Sequence, residues 1–404
     1  MNREELTKSP SFERPRDYYI DNIKGIFIFF VVVGHLLDYP ARDGSSFAIG
    51  VRTFIYFFHM PGFIFISGYL AKNFLKKPYK GEKLFTYAWL YLLFKDAIEL
   101  VHYIFSEPYF ENGKHHREAI LVILLFCSLI LLLSWAYHKY HKFRIVFMLF
   151  VIGISLVNTN IFFISGAPWY LLSLIFWHIF IYLTKHMKPE YVMAAAIILA
   201  AVLDYQEEIG KFLSLSRTLN FLPFFLFGYY ISKEQFANIV NHKKFKVILP
   251  SIFFISMIFI FAFGKTVNKC FGVLIYAVSP YSKLPKPAYG FGPLLCLLWI
   301  LAASILMFAV FIMCPRKKTV LSTIGRNTIS IYVLHRLFKD LLFYAGFYSA
   351  LSTNPYIAVL QIVCLSVLMV LLFGNAFSAR IITNLSTIRG TWFYIDGSSN
   401  SVEE

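Results

Sequence analysis

The sequence predicts an all-α integral membrane protein, a polytopic helical bundle of ten to twelve spans. Of its 404 residues, 58% are hydrophobic and only 15% are charged, and the mean hydropathy is +0.63. Soluble domains average about 45–50% apolar and about 25% charged residues. This composition therefore excludes an ordinary soluble enzyme, a disordered chain and a disulfide scaffold. Twelve apolar runs of 13 to 22 residues indicate repeated crossing of a bilayer.

The apolar runs follow one another along the whole chain. A polar stretch of 16 residues precedes the first run and no small-residue cleavage site follows it, so we expect a retained span and not a removed signal peptide. Two runs of only 13 residues are shorter than the roughly 20 residues that a spanning helix needs. These two, 191–203 and 219–231, form either two spans or one re-entrant hairpin. The runs are 20–37, 52–71, 84–105, 118–137, 143–163, 168–184, 191–203, 219–231, 247–263, 293–313, 326–347 and 355–375.

The distribution of Lys and Arg predicts the orientation of the chain. With the N-terminus in the cytoplasm, the inner loops hold eighteen basic residues and the outer loops hold ten. Four of those ten lie in the long loop 264–292, where the positive-inside rule is weaker. The net charge of +16 is therefore interpreted as an orientation signal, and nucleic acid is not an expected partner. Both termini are predicted to be cytoplasmic.

The chain is predicted to be one membrane domain with a short tail. It contains no internal repeat, so residues 1–380 are assigned to one integral domain and residues 381–404 to a cytoplasmic C-terminal tail. The five cysteines occur singly, mostly within apolar runs, and indicate neither a disulfide framework nor a metal site. The motifs GxSxG, HExxH and GxxxxGKS/T, which mark soluble enzymes, are absent.

The first apolar run contains two ionisable residues, Lys24 and His35. Such side chains at bilayer depth cost about 2.5–3.5 kcal/mol on insertion scales, so they are usually functional or paired. They are eleven positions apart, about 16 Å of helical rise, which puts them roughly on one side of the helix near opposite ends. Either Lys24 reaches the inner headgroups and His35 lies at the outer interface, or both belong to a site.

A second histidine, His59, is predicted in the outer half of the second run, directly before Met60 and Pro61. Pro61 removes a backbone donor, and the loosened helix would leave room for a polar pocket. A single His on an apolar face is more often a structural residue. Because His35 and His59 come from adjacent antiparallel helices and both lie toward the outer side, a shared pocket is the alternative.

Further charges lie in the third and eleventh runs. Lys95, Glu99 and His102 share one helix face through i, i+4 and i, i+3 spacing, so either they pair with one another or they form a polar wall of a substrate cavity. Arg336 follows His335 at a depth that requires an anionic partner, from the protein or from a ligand.

Several short motifs spread over nearly the whole chain resemble those of a known family. They are Asp21-Asn22-Ile23-Lys24-Gly25-Ile26, Val31-Val32-Val33-Gly34-His35, Phe58-His59-Met60-Pro61, Phe65-Ile66-Ser67-Gly68-Tyr69, Ala167-Pro168-Trp169-Tyr170-Leu171, Leu215-Ser216-Arg217-Thr218, Pro223-Phe224-Phe225, and Ile324-Gly325-Arg326-Asn327-Thr328 with Tyr332, Leu334 and His335. Together they resemble the membrane-bound acyltransferase 3 family, and within it the fucose 4-O-acetylase-like sugar acetyltransferases. The first-span pattern of that family, a basic residue, ten residues and then His, corresponds to Lys24 and His35. Many members carry Arg at the basic position, and Lys24, a departure shared by the sugar-acetylase branch, lacks the bidentate fork of Arg.

The resemblance implies a membrane O-acyltransferase. Such an enzyme moves an acyl group, usually acetyl from cytoplasmic acetyl-CoA, onto a sugar hydroxyl of a cell-surface or secreted glycan. Acetyl-CoA is then the expected co-substrate, with no metal. A glycan or lipid-linked sugar is the expected acceptor, and polysaccharide-synthesis proteins are expected partners. The expected location is the cell membrane of a bacterium, with the protein embedded in the lipid bilayer.

The acyl donor is expected to enter from the cytoplasmic side. Basic loops at 72–83 and 314–326 would attract the phosphates of acetyl-CoA. Lys24, Arg326 and Arg336 are the predicted cofactor-binding residues.

Histidine is the expected catalytic residue type, because the pKa of imidazole lies near neutrality. His35 is predicted to be the general base that takes the proton of the acceptor hydroxyl, and His59 is the second predicted catalytic residue. Tyr170, Arg217 and Glu99 are predicted to bind the substrate. His59, Tyr170 or Arg217 is expected to position the acceptor or to stabilise the oxyanion.

Two other classes of protein stay open at the level of sequence. One is a transporter or flippase of lipid-linked glycans or protons, which many spans and intramembrane charges would also suit. The other is a non-catalytic subunit of a polysaccharide export complex. The chain shows neither paired halves nor matching broken helices, which favours the enzyme over the transporter.

Overall fold

The computed structural model describes residues 17–76, 80–105, 116–157, 162, 168–210 and 212–386. The charged N-terminal stretch and the part of the predicted tail beyond residue 386 lie outside the described residues. The regular elements of the described part are all helical, as the sequence predicts. The α-helices are α1 (Tyr18–Leu36), α2 (Asp38–Arg42), α3 (Ser46–Ala71), α4 (Lys80–Phe105), α5 (His116–Lys139), α6 (His141–Val157), α7 (Trp169–Leu183), α8 (Pro189–Leu203), α9 (Leu215–Asn220), α10 (Leu222–Tyr230), α11 (Lys233–Asn241), α12 (Phe245–Tyr276), α13 (Gly292–Met313), α14 (Val320–Arg326), α15 (Thr328–Tyr344), α16 (Pro355–Phe373) and α17 (Ala376–Ser386).

Every predicted apolar run coincides with one helix or with two consecutive helices. By length and composition, six helical stretches in the described ranges are able to cross a membrane, and the remaining runs form helices that are shorter or more polar. The protein is therefore an integral, multi-pass membrane protein. The six stretches are Tyr18–Leu36, Ser46–Lys76, Ile120–Lys139, Phe245–Tyr276, Lys286–Met313 and Pro355–Phe373.

The two short predicted runs form short helices. The first, Pro189–Leu203, has 15 residues and a length of about 22 Å, less than the roughly 30 Å of a hydrocarbon core. The second is divided at Phe221 into helices of six and nine residues, α9 and α10. Both α9 and α10 pack against α8, so the two runs form one helical hairpin-like unit. Whether this unit spans the bilayer stays a prediction.

The two ends of the bundle are distinguished by contacts at the two ends of α1. At its start, the Tyr19 hydroxyl donates to the carbonyl of Phe311, at the end of α13, over 2.7 Å. Just beyond its other end, the Asp38 carboxylate lies 2.8 Å from the Lys339 ammonium near the end of α15. Helix α15 is therefore parallel to α1 and α13 is antiparallel to both. We call the two ends the Lys24 side and the Asp38 side.

The predicted tail boundary at residue 380 falls inside α17. The indole of Trp89 donates to the Leu385 carbonyl over 2.7 Å, and Thr383 and Ser386 line a cavity together with Lys24. The described chain, which begins at residue 17 and ends at residue 386, thus has both of these ends on the Lys24 side. That this side is cytoplasmic stays a prediction.

The start of α1 is attached to the segment before and within α14 by a buried asparagine. The Asn22 amide donates to the carbonyls of Pro315 and Lys317, each at 2.8 Å. Its oxygen accepts from the hydroxyls of Thr319 and Ser322, each at 2.7 Å. Asn22, which lies in the first family-like motif, is therefore a structural residue.

Close contact between α1 and α14 depends on glycine at position 325. A Cβ atom added there would lie 1.7 Å from the Asp21 carbonyl oxygen, far inside van der Waals contact. The two helices therefore approach backbone to backbone. This approach brings Lys24 and Arg326, three hundred residues apart in sequence, to the same end of the bundle.

Candidate active site

Two imidazoles from α1 and α15 form a direct contact. Nδ1 of His35 lies 2.8 Å from Nε2 of His335, and the two rings are nearly parallel, 9° apart with centroids 5.1 Å from each other. His335 is fully buried, whereas His35 keeps part of its surface accessible. We call this pair the histidine dyad.

The hydrogen bonds of the dyad determine where its protons lie. Nδ1 of His335 is 2.7 Å from the Ile331 carbonyl oxygen, which can only accept, so Nδ1 of His335 carries a hydrogen. A neutral His335 then presents a lone pair at Nε2, and Nδ1 of His35 must donate to it. The lone pair of a neutral His35 is consequently at Nε2, the atom that is free to take a proton.

Two further buried histidines hold Nδ1 in the same way as His335. His59 and His178 each direct Nδ1 at the carbonyl one turn earlier, Ile55 at 2.8 Å and Leu174 at 2.6 Å. His35 differs from these three buried imidazoles because its Nδ1 contacts a second imidazole and part of its surface is accessible. His59 is only 1% exposed, and α3 continues without interruption through Pro61.

A cavity of about 320 Å³ lies on the Lys24 side of the dyad, and we call it the Lys24 cavity. Tyr332, whose ring centroid lies 6.2 Å from that of His335, belongs to its lining. Three residues predicted from sequence to bind donor or substrate, Lys24, Arg326 and Tyr170, line it together. The Lys24 ammonium pairs with Asp21 at 3.2 Å, and the Tyr170 hydroxyl shares a hydrogen bond with that of Ser67. The structure thus combines two cationic side chains with hydroxyl groups in one pocket.

A second cavity, of about 550 Å³, lies beyond the dyad on the Asp38 side, and we call it the Asp38 cavity. Its walls combine charges with aromatic rings. Asp38 contacts the Lys339 ammonium at 2.8 Å and the Arg52 guanidinium at 3.4 Å. Asp340 forms an ion pair with Arg336, so the anionic partner expected for Arg336 is an Asp one turn further along the same helix. The aromatic members of the lining are Tyr39, Phe343, Tyr344 and Tyr348.

Helix α15 connects the two cavities. Tyr332 lines the Lys24 cavity, His335 follows at 0% exposure, and Arg336 lines the Asp38 cavity. Along α1 the order is the same, with Lys24 in the first cavity and His35 in the dyad, while Asp38 directly after the helix lines the second cavity. Along α1 and α15 the dyad therefore lies between the two cavities, and neither His35 nor His335 belongs to the lining of either cavity.

Arg217 lies in α9, and its guanidinium contacts other helices of the bundle. Its Nε donates to the Tyr276 carbonyl at 3.2 Å, and its guanidinium lies 5.2 Å from the centroid of the Trp169 ring. It also interacts electrostatically with Tyr332 and Asp38, which belong to the two cavities. The guanidinium is therefore fixed in position and interacts with one residue of each cavity.

The short helix that carries Arg217 is held by a buried carboxylate outside the spans. Asp204 accepts from the Asn220 amide at 3.0 Å and from the Ser216 hydroxyl at 3.2 Å. Burial raises the pKa of the Asp204 carboxyl to about 6, although these hydrogen bonds act in the opposite direction. Ser216 and Asn220 lie on either side of Arg217 in α9, so this network determines the position of the guanidinium.

Two predicted site residues lie elsewhere. Glu99 pairs with Lys95, as one of the two sequence interpretations has it, and it lines a large apolar cavity between α4 and α6. His102 does not join the Lys95–Glu99 ion pair. Its Nε2 instead lies 3.4 Å from the Asp340 carboxylate on α15. Arg336, predicted to bind the donor with Lys24 and Arg326, lines the Asp38 cavity and is not brought together with them.

Three residues of the site were not selected from the sequence. His335 was named beside Arg336 and as part of a motif, without a catalytic role, and its contact with His35 joins positions three hundred residues apart. Asp38 and Lys339 pair between different helices, and nothing in the spacing of either predicts the other. Within the described ranges, no group of three or more His, Cys, Asp or Glu side chains is placed to hold a metal ion.

Comparison with known proteins adds the family to this geometry. The model of the acyltransferase 3 family, described as an acyltransferase domain, matches residues 17–374. The chain belongs to this family. It is therefore a membrane acyltransferase, and the enzyme interpretation is preferred to the transporter and to the non-catalytic subunit. Both helices that carry the histidine dyad, α1 and α15, lie inside the matched region.

Two similar proteins carry the name nodulation protein NolL. That of Mesorhizobium japonicum is 42% identical over 67 residues, which are 16% of this chain and 18% of that protein. That of Sinorhizobium fredii is 47% identical over 60 residues, 14% of this chain and 16% of that protein. The matched stretch thus covers less than a fifth of either relative. No solved structure is significantly similar to the chain.

Proposed function

We propose that the protein transfers an acyl group, acetyl from acetyl-CoA, onto a sugar hydroxyl of a cell-surface or secreted glycan, with His35 as general base. The observation that carries this proposal is the histidine dyad between two cavities. Its hydrogen bonds leave the Nε2 lone pair of His35 available, and its position allows a donor and an acceptor to approach from opposite sides.

The proposed reaction is a direct transfer. Nε2 of His35 takes the proton of the acceptor hydroxyl while the hydroxyl oxygen forms a bond to the acyl carbon. The tetrahedral intermediate then collapses as the carbon–sulfur bond breaks. The proton on Nε2 passes to the leaving thiolate, which regenerates neutral His35 and releases the free thiol of CoA. Atoms and charges balance without a further reactant.

His335 is proposed as a positioning residue. Its Nε2 accepts from Nδ1 of His35 in the neutral state and in the imidazolium that forms during transfer, because Nδ1 carries a hydrogen in both. The bond therefore fixes the ring and its tautomer in the way that the Asp of a serine-protease triad orients its His. The Ile331 carbonyl holds His335 in turn.

Arg217 is proposed to stabilise the oxyanion. A buried guanidinium whose orientation is already fixed needs no reorganisation when charge develops on the acyl oxygen. Tyr170 is the second candidate, since its hydroxyl lies in the Lys24 cavity. For His59, which is buried beside the Tyr56 ring, we propose a supporting role close to the dyad.

The Lys24 cavity is proposed to receive the acyl donor. A volume of about 320 Å³ lies at the lower end of small-molecule pockets, so it suits the thioester arm and not the whole nucleotide. Lys24 and Arg326 would bind a phosphate at the entrance. The excess of Lys and Arg in the loops on this side supports a cytoplasmic orientation.

The Asp38 cavity is proposed to receive the sugar. Carboxylates and cations offer acceptors and donors for hydroxyl groups, and aromatic rings offer faces for a pyranose. Arg336 would contribute here, in contrast to its predicted role in donor binding. The two rhizobial relatives support a bacterial cell membrane as the location, where polysaccharide-synthesis proteins would supply the acceptor.

Substitution of Lys24 tests the donor site. We expect Lys24→Ala to raise the KM for acetyl-CoA about tenfold, with a smaller effect on kcat. A tenfold change corresponds to about 1.4 kcal/mol of binding free energy, which is a typical loss for one charge-assisted hydrogen bond. For Lys24→Arg, which keeps the charge, the KM for acetyl-CoA should remain within about twofold of the wild-type value.

The assay uses purified protein, radiolabelled acetyl-CoA and glycan extracted from the source cells, with label counted on the glycan. A Lys24→Ala protein whose KM for acetyl-CoA is unchanged would remove Lys24 from the donor site. A wild-type protein that leaves all label on CoA would contradict the proposed function itself.

A further inference from the structure

One large cavity of the described structure is apolar, and its lining includes Val333 and Leu334, which directly precede His335 in α15. It measures about 1300 Å³ and is bounded by α4, α5, α6, α15 and α17. Apart from Asp96 and Glu99, its walls are hydrocarbon or aromatic. Several lining residues are open to the outside of the bundle, such as Val146 at 65% exposure and Tyr103 at 72%. We call this cavity the apolar groove.

The groove adjoins the Asp38 cavity along two helices. On α4, Tyr103 lines the groove and its neighbour His102 lines the Asp38 cavity. On α15, Leu337 lines the groove, whereas Arg336 lines the Asp38 cavity. His335 of the dyad lies on that same helix and directly follows Leu334, which lines the groove.

We propose that the apolar groove holds the hydrocarbon chain of a lipid-linked saccharide, whose sugar occupies the Asp38 cavity. This inference rests on the proposed function and specifies its acceptor. The sugar and chain of one molecule would lie in two cavities of opposite polarity that meet at the end of α4. The acceptor would then be modified while still attached to its lipid carrier.

The dimensions and surface of the groove fit a long chain. Its volume exceeds the roughly 300–1000 Å³ of ordinary ligand pockets, as expected for a flexible hydrocarbon. Gly153 lies in its wall, and a Cβ atom added there would meet nothing within 4 Å. Helix packing therefore does not require glycine at this position, although glycine leaves the groove wider. Holding the chain also orders the acceptor before reaction, which favours transfer.

Photocrosslinking tests the proposal independently of catalysis. The full-length protein in phosphatidylcholine nanodiscs is irradiated with a diazirine-tagged polyprenyl phosphate sugar, and labelled peptides are mapped by mass spectrometry. We expect labels on α4, α5 and α6, reduced at least tenfold by excess untagged polyprenyl phosphate and not by added phosphatidylcholine. Equal labelling by a diazirine-tagged phosphatidylcholine, without competition by polyprenyl phosphate, would overturn the proposal and identify the occupant as ordinary bilayer lipid.

Variants that fill the groove supply the second readout. Gly153→Trp and Leu129→Trp should each lower crosslinking about tenfold and raise the KM for the lipid-linked acceptor to the same extent. The KM for a water-soluble form of the same saccharide should not change. Val367→Trp, on the exposed face of α16 away from the groove, is the matched control.

These outcomes separate the two proposals. A wild-type protein that acetylates soluble and lipid-linked saccharide with equal KM, and whose groove variants behave as Val367→Trp does, overturns the lipid-chain site and leaves the transferase intact. Crosslinking in the groove without any acetyl transfer supports the lipid-chain site and contradicts the proposed reaction.

Discussion

A His35→Ala protein should lose acyl transfer by about a hundredfold to ten-thousandfold, the range that a general base contributes. The reason is geometric, because His35 is the dyad member with accessible surface and with a lone pair free at Nε2. Neither His59 nor His335 combines these properties, since they are 1% and 0% exposed. The loss should appear in kcat, with the KM for acetyl-CoA nearly unchanged.

The measurement compares initial rates of label transfer by purified His35→Ala and wild-type protein. The matched control is His186→Ala, which removes an exposed imidazole outside the site. Both variants should keep the wild-type thermal midpoint in detergent. Transfer by His35→Ala within about fivefold of the wild-type rate would eliminate the base assignment, whatever the fate of the other residues.

A His335→Leu protein should lose about a hundredfold in kcat, and His335→Gln should recover most of that loss. Leucine removes the acceptor for Nδ1 of His35, so the ring is free to rotate and to place its proton on Nε2. Glutamine retains a carbonyl oxygen that accepts the same hydrogen. The difference between the two variants therefore reports the hydrogen bond and not the volume of the side chain.

The pH profile of kcat provides the readout that a purely structural role would not move. The acid limb, which reports protonation of His35, should shift in His335→Leu and stay close to the wild type in His335→Gln. Equal loss of rate in both variants, with an unchanged profile, would reduce His335 to a packing residue.

Sequence was sufficient for the fold class because the signal is local. A membrane helix can be identified from the residues of one apolar run alone. Each predicted run coincides with one helix or with two consecutive helices. Pairings along one helix were also accessible, as with Lys95 and Glu99 at i, i+4. Lys24, Arg326 and Tyr170 were selected separately, on their chemistry and on motifs, and they line one cavity.

The dyad could not be predicted from the sequence, because its two histidines are brought into contact only by tertiary packing. No spacing rule relates His35 to His335, and the partner considered for His35 was His59 on the adjacent helix. His102 shows the same limit, since its local neighbour Glu99 suggested a pairing whereas the structure pairs it with Asp340. Arg336 was assigned to the donor by its charge, although α15 carries it past the dyad to the other cavity.

The most direct test is transfer across a sealed membrane. Proteoliposomes are prepared with one known protein orientation, verified by labelling of single cysteines introduced on the Lys24 side. Radiolabelled acetyl-CoA is supplied to one face and the saccharide acceptor to the other. We expect label on the saccharide only when acetyl-CoA meets the Lys24 side and the acceptor meets the Asp38 side. Transfer that requires both substrates on the same face would contradict a reaction at the dyad between two opposed cavities.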